Sequence, residues 1–178
     1  MATFFTDFFD VAPEKLEEHG AFNISLINDL PLFIDPFLLF NSKKPEYRAL
    51  HDDIINYLVF LKDKAVAGPV STTLLEAWYC FGEIKQTWLG FSQSGNSGSG
   101  LGLDFARALH SSLHQIFRDF GAEKVTSGSH LEKVCLIRDG VGRDNISDFT
   151  TNLVQGYLCE YTERFAEAHL KSNQVRKV

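Results

Sequence analysis

What this sequence has little of removes several classes of protein. Cysteine is scarce and unpaired: Cys80, Cys135 and Cys159 are odd in number and widely spaced. No zinc-type pair and no disulfide framework can be built from that spacing. Cys135 and Cys159 fall on the apolar faces of a strand-like run and a helix-like run, where buried, reduced thiols are expected. A basic stripe is also missing. Seventeen Lys and Arg stand against 23 Asp and Glu, a net charge of −6, which argues against a stand-alone nucleic-acid binder. Apolar runs are short, and none approaches a membrane span. The first residues lack a basic region, and Asp7 and Asp10 interrupt them, so they do not read as a signal peptide. A soluble, cytoplasmic chain with no membrane role is the expectation.

Phenylalanine is plentiful, with 16 copies against one methionine and two tryptophans. Phe buries a large rigid ring that needs no hydrogen-bond partner. Four copies, Phe4, Phe5, Phe8 and Phe9, crowd the first nine residues. The size and the 44% hydrophobic content suit one domain with a substantial core, spanning residues 1–178.

Helical signals follow along the chain. Pro13 suits a first turn and Gly20 an end. Asp35 before Pro36 reads as an N-cap with proline at the first helical position, predicting a short buried helix over "PFLLF". In "PEYRALHDDIINYLVFLKDKAV", Tyr47, Leu50, Ile54, Leu58 and Leu61 recur at three- and four-residue steps, an amphipathic helix. Ser71 or Thr72 caps the next. "LDFARALHSSLHQIFRDF" places Phe105, Leu109, Leu113, Ile116 and Phe120 on one face before Gly121. "HLEKVCLIRDG" reads as a strand, "DGVGRDN" as a hairpin turn, and "NISDF" as either the return strand or the start of a helix. A long helix is expected from Thr150 to about Lys171, and "SNQVRKV" as a turn into a β-type segment. The fold class expected is α+β, predominantly helical, with helices packed around a small β-hairpin or sheet near residues 130–148.

Three places invite chemistry. Gly95, Gly98, Gly100 and Gly102 precede a helix, where amides cradle phosphates. The P-loop lysine and hydroxyl are absent, since Leu103 and Asp104 follow, so a mobile loop holding no nucleotide is expected. His110 and His114 are one turn apart, but no glutamate lies between them as a zincin site requires. The third place is "LIRDGVGRDNISDFTTNLV". Asp139 is accounted for by its Asp-Gly turn. Asp144 and Asp148 share a face whether the segment is extended or helical, and like charges placed together favour a cation between them. Glu132 approaches them across the hairpin. These three would hold Mg²⁺ or Mn²⁺, with Asp148 and Asp144 as the catalytic carboxylates of phosphodiester hydrolysis. A plainer reading has Asp148 capping a helix that begins at Phe149 or Thr150.

"DLPLFIDPFLLFNS", "LHDDIINYLVFL", "GLGLDFARALH" and "GVGRDNISDFTTNLV…YLCEYTERFA" together resemble a group of uncharacterised bacterial proteins that look like components of anti-phage defence. The resemblance covers most of the chain. It implies a longer parent protein, of which these residues are the N-terminal part, and a restriction-endonuclease-like core in which an Asp precedes an acidic-x-Lys pair. Asp148 matches the first position, and no acidic-x-Lys follows it. A metal-dependent nuclease domain, incomplete in this chain, is the leading expectation. The alternative is a non-catalytic helical interaction module whose aromatic N-terminus docks on a protein partner or a second copy.

Overall fold

The structure is a computed structural model that describes residues 4–28, 31–84, 100–119 and 142–176. Eight helices lie among these residues: α1 (Phe5–Phe9), α2 (Pro13–His19), α3 (Pro36–Phe40), α4 (Pro45–Ala67), α5 (Thr72–Tyr79), α6 (Leu103–Asp119), α7 (Arg143–Leu153) and α8 (Gln155–His169). The expected hairpin or sheet is overturned. The protein is mostly helical, and β-type pairing among the described residues is confined to two isolated bridges, Phe4 with Ser25 and Phe81 with Leu101. Residues 143–148, expected to belong to the hairpin region, form the first turns of α7. The strand reading at 130–140 lies outside the described residues.

The chain divides into two compact units. The larger runs over Phe33–Ile84 and Ser99–Val154. Its centre is α4, against which α3, α6 and α7 pack, while α5 lies on α6. The buried face of α4 carries His51, Ile54, Leu58, Leu61 and Ala65, meeting Ala106, Leu109 and Leu113 of α6. Each aliphatic side chain buried in this interface contributes roughly 1.5–3 kcal/mol. Tyr79 closes one end of it. Its ring is fully buried and its hydroxyl donates to the Leu61 carbonyl at 2.7 Å. Caps set the helix starts: Asp35 accepts from the Phe37 amide at 2.8 Å and Ser71 from the Leu74 amide at 3.4 Å. Helix α3 is less buried than its composition suggests, since Phe37 and Leu38 face solvent.

The smaller unit comprises Met1–Leu32, Lys85–Gly98 and Gln155–Val178. Helix α2 starts on Pro13 and stops on Gly20, whose left-handed φ of 80° lets the Ala21 amide reach back to the Leu16 carbonyl at 2.9 Å. His19 and Tyr161 clamp α2 and α8 reciprocally. The Tyr161 hydroxyl donates to the His19 carbonyl, and His19 Nε2 lies 3.1 Å from the Tyr161 carbonyl. A carbonyl only accepts, so that ring nitrogen carries the proton. Phe165, buried at the centre, takes edge contacts from Phe5 at 5.8 Å and His19 at 5.2 Å. Residues 172–174 form the turn expected there, and Gln174 donates to the Phe9 carbonyl at 3.3 Å; the β-type segment expected after it reaches into residues 177–178, outside the described residues.

Candidate functional site

The site is built on α7. Arg143 begins the helix because Gly142 turns its amide into the Asn145 side chain, at 2.9 Å, and its carbonyl accepts from Ile146 at 3.2 Å. Asp144 therefore sits in the first turn and Asp148 one turn on, along the same face. The plainer reading of Asp148 as a cap falls, because the helix starts at Arg143, at least six residues earlier than that reading needs.

The other faces of α7 are fixed by burial. Ser147 is buried and accepts from the Ile34 amide at 2.9 Å. Phe149 is buried with its ring 4.4 Å from that of Phe81. Thr150, fully buried, returns its hydroxyl to the Ile146 carbonyl at 2.7 Å, the usual way a threonine satisfies itself inside a helix. Asn152 donates to two carbonyls, Asp148 at 2.9 Å and Gly82 at 3.0 Å. The second bond ties the 81–84 segment to α7.

That segment is held from its other side as well. Phe81 and Leu101 exchange backbone hydrogen bonds of 2.9 and 2.6 Å. Gly100, at φ 62°, lies so close that an added Cβ would sit 2.7 Å from both the Gly82 carbonyl carbon and the Phe81 oxygen, and against the Glu83 amide. The expected loop "SQSGNSGSGLG" thus ends in close backbone packing, while residues 92–99 lie outside the described set.

Held in this way, Glu83 faces the acidic side of α7. Asp148 is half-buried, and its carboxyl is pushed up to about 7, by burial first, then by the charge of Asp144 and then by that of Glu83. Among the described residues neither Asp144 nor Asp148 makes an ion pair. The structure brings Asp144 and Asp148 to one place; Glu132 and Asp139 lie outside the described residues. Glu83 is the carboxylate that sequence reasoning missed, and no local pattern links it to residues so far along the chain. Near neutral pH Asp148 divides between acid and carboxylate, so it can move a proton or release one to a cation.

Among the described residues no three His, Cys, Asp or Glu side chains converge tightly enough to ligate one ion together. The arrangement suits a hydrated ion held by one or two carboxylates, as Mg²⁺ commonly is. The histidine pair does not make a second centre within reach of description. His110 packs edge-on to the Tyr79 ring at 5.3 Å, and the side chain of His114 is outside the described set. Burial and the charge of Glu76 push the half-buried Cys80 thiol up, which disfavours a thiolate there. Cys159, expected inside, is exposed on α8, and Cys135 is not among the described residues. No described helix is long and apolar enough to cross a membrane.

A family model described as a domain of unknown function, DUF8370, matches residues 10–178. No curated protein and no solved structure matches the chain.

Proposed function

Starting from the fact that the chain belongs to the DUF8370 family, we propose that the acidic face of α7 is a divalent-cation site in a bacterial defence protein that handles phosphodiesters. Asp144 and Asp148 hold Mg²⁺ or Mn²⁺, and Glu83 reaches it through water. One observation carries the reading. Asp144 and Asp148 share one field on α7, to which the charge of Glu83 adds, and neither of the two aspartates makes an ion pair among the described residues. Such crowding costs stability unless something positive relieves it. The phosphodiester class comes from the resemblance to defence proteins with restriction-endonuclease-like cores. The acidic-x-Lys pair of such cores does not follow Asp148, so this chain supplies a cation site and not the whole catalytic set.

Calorimetric titration with Mn²⁺ tests it. One ion per chain is expected, at least tenfold weaker in Asp148→Asn, and weakening about tenfold for each pH unit below about 7, where protons compete. Glu83→Gln gives a smaller loss. Binding that survives Asp148→Asn and Asp144→Asn unchanged, or no binding by the parent chain, sinks the reading. The same preparation is expected to leave single- and double-stranded DNA and RNA intact in Mn²⁺. Cleavage abolished by Asp148→Asn would overturn the claim of an incomplete set while keeping the site.

A further inference from the structure

The smaller unit leaves apolar surface outside in a pattern that composition alone does not require. Phe4 and Phe8 are one helical turn apart at the start of α1, 42% and 62% exposed. The chain comes back antiparallel beside them. Phe4 bridges Ser25, the Phe5 amide donates to the Ile24 carbonyl at 2.9 Å, and Thr6 and Asn23 bond each other twice, at 3.1 and 2.9 Å. That register brings Phe22, 69% exposed, beside α1, and Ile27, 45% exposed, follows two residues beyond the Phe4–Ser25 bridge. Scattered exposed leucines are ordinary; several large side chains on one short hydrogen-bonded frame are what interfaces show.

The surrounding charge is mostly acidic, with Lys171 Nζ of the same unit 3.7 Å from Asp10. Asp7 and Asp10 flank Phe8, and Glu14, Glu17 and Glu18 follow on α2, all exposed. Lys15 is the one Lys or Arg among residues 4–28 and is already paired with Glu18 at 2.8 Å. We propose that the frame carrying Phe4, Phe8, Phe22 and Ile27 docks a cationic amphipathic helix of a partner protein. The aromatic rings supply the buried contact, and the acidic rim selects a basic partner and sets its approach. A second copy of this chain would bring the same acidic rim against itself, and an anionic membrane would be repelled for the same reason.

The probe is a fluorescent peptide of roughly 18 residues, long enough to hold a helix on binding, with leucine at helical spacing and lysine elsewhere. Its counterpart carries glutamate for lysine. Anisotropy with the full chain is expected to show binding of the basic peptide alone, weakening as salt rises. Phe8→Ser with Phe22→Ser should weaken it at least tenfold with unchanged circular dichroism, because both rings are exposed. Phe37→Ser with Leu38→Ser, exposed in the larger unit, should leave it unchanged. Equal binding of both peptides, or binding indifferent to Phe8 and Phe22, overturns the proposal. So does sedimentation showing a dimer that those two substitutions dissolve, or co-pelleting with phosphatidylserine vesicles that they abolish.

Discussion

The two units hold themselves together differently. In the larger, long helices bury contiguous aliphatic faces, and the buried Tyr79 hydroxyl is satisfied by the backbone. In the smaller, two of the three described helices have only five and seven residues and cannot cover much surface. Specific pairs carry the order instead: His19 with Tyr161, Thr6 with Asn23, Gln174 with the Phe9 carbonyl. Area burial is non-directional and tolerant, whereas paired hydrogen bonds contribute about 1 kcal/mol each and depend on geometry. A unit built the second way spends fewer of its large side chains inside. That is consistent with the phenylalanines it leaves in solvent.

Three substitutions sharpen this contrast. Gly100→Ala should do the most damage, because the new methyl meets backbone atoms that cannot swing aside, at a φ that disfavours any side chain. A loss of about 3 kcal/mol is expected in chemical denaturation. A loss below about 1 kcal/mol would mean the 81–84 segment gives way easily.

Asp148→Asn probes the charged face of the same unit. A carboxyl at about 7 in the folded chain and near 3.9 when unfolded keeps its proton longer in the fold. Folding is therefore favoured below pH ~4, and that contribution is lost as pH rises toward ~7. The asparagine variant lacks this loss. It should match the parent at pH ~4 and exceed it by about 1–2 kcal/mol at pH 8, after allowance for solvent screening. A pH-independent difference would show that Asp148 is not the group responsible.

Tyr161→Phe removes one arm of the α2–α8 clamp. It should cost about 1 kcal/mol. Hydrogen exchange would quicken at residues 16–21 while the amides of α4 and α6 stay protected.

The legible elements were those with local punctuation. Pro13 and Gly20, the Asp35 cap with Pro36, Ser71, and the repeating apolar positions of α4 and α6 each declared an element within a few residues. Residues 143–148 could be read as a return strand or as the start of a helix, because Gly142 is a turn residue and Ile146 favours strands. Packing decides for the helix, with Ser147, Phe149, Thr150 and Thr151 buried. No proline or capping hydroxyl marks the helix start, since the cap is the Asn145 side chain reaching back. The break at Val154 carries no signal of its own, so the one helix expected from Thr150 is two. At the candidate site the helical spacing of Asp144 and Asp148 was visible. Glu83 was not, because its place depends on a bridge to Leu101 and a hydrogen bond from Asn152.

Tyr79 carries a consequence of its own. With burial and the neighbouring Tyr57 pushing its phenol up to about 12, the ring keeps its proton in alkali that ionises an ordinary tyrosine. Between pH ~10 and ~12 unfolding releases that proton, so alkali draws the larger unit open. Tyrosinate absorbance from this ring then appears only as the unit opens, which makes Tyr79 an intrinsic optical clock for that event.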